Sequence, residues 1–192
     1  MNMRFVVALA TLAAPALPAA GAQAADPPAA VLSAYENSAG GRAVLAGDYA
    51  GAIAELAGHG ASYRLDAVAA STNLCVAYVM SRQWDEAHAA CDEAVMTARL
   101  DDADSPTLYA RGVHAQEVAL AYCNRAVMHW LAAQPESAAS DLARARALAP
   151  TSAFVARNLE AVAHAPGARV ALRHGRARLK PAARGCGRAP CR

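Results

Sequence analysis

The side chains in this sequence that could do covalent or acid–base chemistry are few and scattered. Five cysteines, Cys75, Cys91, Cys123, Cys186 and Cys191, can pair in an oxidising compartment, and their spacing alone does not fix the connectivity. The last two bracket Gly187-Arg188-Ala189-Pro190 and can close a small loop near the C-terminus. No Cys-x-x-Cys occurs, and no cysteine pair has a histidine at ligand spacing, so neither a metal centre nor a cofactor is expected. The six histidines, His59, His88, His114, His129, His164 and His174, stand apart from one another. There is no His-Glu-x-x-His, no Gly-x-Ser-x-Gly elbow and no phosphate-binding loop. His114 with Glu117, and Asp92 with Glu93, fit solvated helix faces. The chain reads as a non-enzyme, one that holds another molecule rather than transforming it.

The elements that position these residues should be helices. Of the 192 residues 56% are apolar, yet only 5% are aromatic, so the core is built mainly from Ala, Val and Leu. Alanine loses no side-chain entropy on entering a helix, and small side chains let helices approach closely. Length allows one domain of ordinary size plus termini. The net charge of +2 conceals an asymmetry: all sixteen acids lie between Asp26 and Glu160, with nine arginines among them. From Arg169 onward there are eight Arg or Lys and no acid. An acidic body carries a basic tail.

Residues 1–24 have the form of a secretory signal peptide. Arg4 supplies the positive start, Phe5 to Ala14 is apolar apart from Thr11, and Pro15 and Pro18 break the helix before the small-x-small site Ala22-Gln23-Ala24. The apolar run is about half the roughly 20 residues of a membrane span. Cleavage near Ala24 would leave a periplasmic or secreted chain with no transmembrane segment. A linker is expected over 25–32, a helical domain over 33–165 and a disordered basic tail over 166–192.

Within the domain the helical pattern breaks at Gly40-Gly41, Gly47-Asp48, Gly58-His59-Gly60, Asp101 to Pro106, Gln134-Pro135 and Pro150, giving segments of hairpin length. Those segments repeat. Asn73-Leu74-Cys75-Val76-Ala77-Tyr78 is followed by Trp84-Asp85-Glu86-Ala87 and then by Cys91 and Ala94. Asn124-Arg125-Ala126 is followed by Ala138, Leu142 and Ala145, and Gly47-Asp48-Tyr49 by Ala52 and Leu56. This resembles the tetratricopeptide repeat, with Leu74 and Tyr78 on the first helix and Ala87 at the close helix crossing. Tyr49 and Trp84 are 35 residues apart, near the family period of about 34. Arg125 and His129 depart from the family's Leu and Tyr.

The resemblance implies an all-α fold: a short tetratricopeptide-like stack of antiparallel helical hairpins, closed by a C-terminal capping helix from Thr151 to about Ala163. Each hairpin buries only one side of itself, so about three must stack to complete a core. It also implies a partner, a protein or peptide segment lying along the concave face of the first helices. Asn73 and Asn124 share the repeat position that in this family often hydrogen-bonds a bound peptide's backbone, although an asparagine there can equally bridge adjacent helices. Val76, Met80, Val127, Trp130 and Leu131 fall on the same side, as an apolar binding groove or as core beneath another part of the chain. On this alignment Cys75 and Cys91 face each other across one hairpin and can form a disulfide, which leaves Cys123 free and buried. The basic tail supports an alternative function, an envelope-associated structural or assembly protein held to anionic surfaces by that tail; nucleic acid is not expected outside the cytoplasm.

Overall fold

At Gly47-Asp48 and Gln134-Pro135 the backbone leaves the helix in a way the local residues can tolerate. The computed structural model describes residues 29–59, 67–100, 108–164 and 170–175, and among these the chain is mostly helical. A strand, β1 (Ala30–Tyr35), comes first and is followed by α1 (Gly41–Ala46), α2 (Tyr49–His59), α3 (Ala67–Ser81), α4 (Trp84–Leu100), α5 (Leu108–Leu131), α6 (Pro135–Leu148) and α7 (Ala153–His164). A second strand, β2 (Val170–Gly175), ends the described chain.

Three of the turns are the same device. Gly47, Arg82 and Ala133 each stand just after a first helix with φ of 81°, 58° and 60°. The residue that follows each, Asp48, Gln83 or Gln134, donates its N–H five residues back, to the carbonyls of Ala43, Tyr78 and His129. This 6→1 bond across a left-handed residue satisfies the carbonyls that a helix end leaves open. The next helix then starts at once: Asp48 accepts from the Gly51 N–H through its side chain, and Pro135 opens α6 where its missing N–H costs nothing. Five residues past each left-handed turn residue stands a fully buried alanine, Ala52, Ala87 or Ala138. The repeated sequence thus becomes repeated backbone.

The helices pack as hairpins, α3 on α4 and α5 on α6, with α4 against α5 and α2 against α3 joining them into a row. Helix α7 lies against both α5 and α6, and its Phe154 and Val155 are buried in their cluster. No helix among the described residues is long and apolar enough to cross a membrane.

Two expectations are corrected. Residues 30–32, expected as linker, and 33–35, expected as the start of the helical domain, are instead the strand β1, all six of its residues buried. Residues 170–175, taken as disordered tail, pair with β1 in a parallel two-stranded sheet, Ala30 opposite Val170 and Tyr35 opposite Gly175. Gly40-Gly41 sets where α1 begins, for a steric reason. A Cβ on Gly41 would collide with the Tyr35 carbonyl oxygen, so only glycine lets the chain turn from strand into helix there. The signal-like residues 1–24 and the tail beyond 175 lie outside the described residues.

Candidate functional site

Asparagine is a poor choice for a helix interior, because its amide competes for backbone groups. Three helices nonetheless carry one in their middle, fully buried: Asn73 on α3, Asn124 on α5 and Asn158 on α7, at 0%, 1% and 0% exposure. Their amides have found backbone elsewhere. Asn158 accepts from the Val31 N–H at 2.6 Å and donates to the Val31 carbonyl at 3.0 Å. Asn124 does the same to Ser33, both bonds 2.9 Å. Asn73 does the same to Tyr35, at 2.7 and 3.0 Å, and donates its second hydrogen to the Ala39 carbonyl at 2.9 Å.

The arrangement works because a strand presents N–H and C=O of alternate residues to one edge. Residues 31, 33 and 35 face the helices, and three amides spaced by the helix row meet them one for one. Each asparagine supplies one acceptor and one donor, the complement of one residue's main chain. No charge and no sequence-specific side-chain contact takes part, so what is recognised is extended backbone.

The strand's side chains complete its burial. Ala30, Leu32 and Ala34 join one apolar cluster, with Val44, Val76, Val127 and Met128, whereas Val31 joins a second, with Val95, Val118, Leu142 and Phe154. This occupation answers the question left open about the groove. Val76 and Val127 are fully buried in the core, and Met80, Trp130 and Leu131 are partly buried against it. Leu32 of β1 lies in the same buried cluster as Val76 and Val127.

Around this seat the structure is cross-braced. A disulfide joins Cys75 on α3 to Cys91 on α4, while Cys123 is free and buried. Burial pushes the Cys123 thiol up to about 12, only partly offset by a hydrogen bond with Asn158, with the Asp141 carboxylate adding to the rise. It therefore stays protonated and inert at neutral pH. Cys186 and Cys191 lie outside the described residues. Arg125, standing where the repeat pattern expects leucine, forms a two-pronged pair with Asp141 of α6 at 2.7 and 2.8 Å and reaches Asp92 of α4 at 2.8 Å. The Asp141 hydrogen bond raises the Arg125 guanidinium above its ordinary range despite partial burial. Arg125 thus ties α4, α5 and α6 together. Among the described residues no group of His, Cys, Asp and Glu is placed to hold a metal ion.

Asn158 is the ladder residue that inspection of the repeats missed. Its signal was present: it lies 34 residues after Asn124, one repeat period on. The strand's signal was ambiguous: Ala30-Val31-Leu32-Ser33-Ala34-Tyr35 is a short run between Pro27-Pro28 and Asn37-Ser38, and without strict alternation its periodicity does not separate it from a buried helix start. No family model, curated protein or solved structure matches this chain.

Proposed function

We propose that this protein is an exported, non-catalytic interaction module of tetratricopeptide-repeat type that takes an extended segment of a partner protein by strand addition to the edge of β1 that faces away from α3, α5 and α7. The observation that carries the reading is the asparagine ladder. It holds one edge of β1 through residues 31, 33 and 35 and so turns the main-chain groups of Ala30, Leu32 and Ala34 to the opposite edge. That edge is a preformed template, rigid because both faces of the strand are buried, and extended peptides add to such edges through main-chain hydrogen bonds. β2 occupies it in parallel register and illustrates the kind of segment it accepts. The acidic balance of residues 26–160 favours a partner strand flanked by basic residues, as β2 itself is by Arg169 and Arg176.

The recurring 6→1 turn and the buried alanine at each helix crossing support the repeat assignment, and the signal-like N-terminus supports export. The test is a fluorescent peptide of residues 168–178 offered to an Ala171→Pro chain, whose own β2 lacks a ladder donor. Saturable binding, with the Leu32 and Ala34 amides newly protected from hydrogen exchange, is the expected result. Equal binding of the same peptide carrying N-methylated backbone at alternate residues would sink strand addition as the mode.

A further inference from the structure

β2 is held differently from every other described element. The helices each pack on two or more neighbours, whereas β1 is the one described element against which β2 makes extensive contact. Parallel pairing is slightly weaker per residue than antiparallel, and an isolated two-stranded ribbon is marginal in water. Release of β2 is therefore a local opening that leaves the helical row and the asparagine ladder in place.

Two features bear on what takes its place. The first is length: only residues 165–169 separate the end of α7 from β2, and they include Pro166 and Gly167. A short connection to a terminal element invites exchange of that element between copies. The second is charge. Everything from Arg169 on is cationic and acid-free, while the body it must meet is net negative, so the C-terminal segment of one molecule is attracted to the body of another. The same six residues in the same register satisfy the same β1 edge whether they arrive in cis or in trans.

Resting on the strand-addition reading, we propose that the open edge of β1 takes residues 170–175 of a second copy, and that two copies exchange these strands reciprocally in a two-fold dimer. Each copy donates one strand and receives one, so the assembly closes. Because charge assists the encounter, the dimer weakens as ionic strength rises.

The experiment mixes two differently tagged preparations of the full chain and measures co-purification together with mass by light scattering, across concentration and salt. Expected are a dimer containing both tags, at least a tenfold weaker dimer for Ala171→Pro with unchanged helical circular dichroism, and dissociation of the wild-type dimer by excess 168–178 peptide. A wild-type chain that stays monomeric at every concentration overturns the exchange. So does a dimer indifferent to both Ala171→Pro and the peptide. In either case, binding of the peptide to the Ala171→Pro chain shows that strand addition itself survives. Absence of that binding overturns both.

Discussion

The two edges of β1 are satisfied by different chemistry, and the difference separates what is permanent in this molecule from what is exchangeable. One edge meets Asn73, Asn124 and Asn158, side chains fixed in the middle of three packed helices. The other meets a six-residue strand that touches little else. The hydrogen bonds are of the same kind, yet their loss has unequal consequences. Removing an asparagine leaves a buried N–H and a buried C=O with no substitute, whereas releasing β2 exposes its edge to water, which can take its place.

The largest expected effect follows directly. Asn124→Ala orphans both main-chain groups of Ser33 in the protein interior, at about 1–3 kcal/mol each. Urea unfolding should therefore show a loss of roughly 2–5 kcal/mol, while Ala171→Pro on the other edge should cost under about 1 kcal/mol. Equal losses from the two variants would erase the distinction between the edges. Asn124→Asp sharpens the point: the carboxylate accepts from Ser33 N–H but cannot donate to its carbonyl. That variant should be destabilised at neutral pH and partly recover as acid protonates the carboxyl.

Leu32→Ala comes next. The side chain is fully buried, so truncation should cost about 2–4 kcal/mol and should loosen β1 without detaching the hairpins from each other. Near-neutrality would mean that the strand is a tenant on a finished core and no part of it.

The free thiol beside the ladder gives a pH signature. With Cys123 raised from an ordinary 9.0 to about 12 by burial, the unfolded chain ionises first as pH rises. Its contribution to stability is thus whole below about 9 and declines between 9 and 12. Alkylation of native protein at pH 8 should leave Cys123 unmodified until denaturant is added, and Cys123→Ala should flatten the alkaline decline.

A smaller gain is expected at Thr72, beside Asn73 on α3. Its Oγ1 is buried and has no hydrogen-bond partner, so Thr72→Val should stabilise the fold by about 1 kcal/mol, read as a rise in melting temperature. The smallest effect lies away from both edges. Ala133 sits at φ 60°, where a side chain is strained, so Ala133→Gly should gain about 0.5–1 kcal/mol. The same substitution at Arg82 provides a matched control in the neighbouring hairpin.

Legibility in the sequence followed the range of the interactions. The hairpin breaks at Gly47-Asp48 and Gln134-Pro135 are helix-end chemistry readable within a few residues, and both fall where the chain turns. Ala87 and Ala138 were legible as crossing residues because a small side chain recurs at a fixed offset from the turn. Asn73 and Asn124 were legible as special, because they share one position of the resembled repeat, where an asparagine often grips a bound peptide's backbone. The identity of those partners was not legible, and neither was the third asparagine's membership in the set.

What the sequence determined by itself, then, is the helical hairpins, their turns and the positions able to grip a backbone. Each rests on contacts within a single repeat, where residue type and spacing suffice. What only the tertiary structure decided is that the gripped backbone is the chain's own and that it is a strand. The hydrogen bonds that make Ala30–Tyr35 extended come from residues 38, 91 and 127 positions away. A strand whose ladder partners are side chains on three distant helices carries too little local pattern to settle its conformation, which is set by those distant partners.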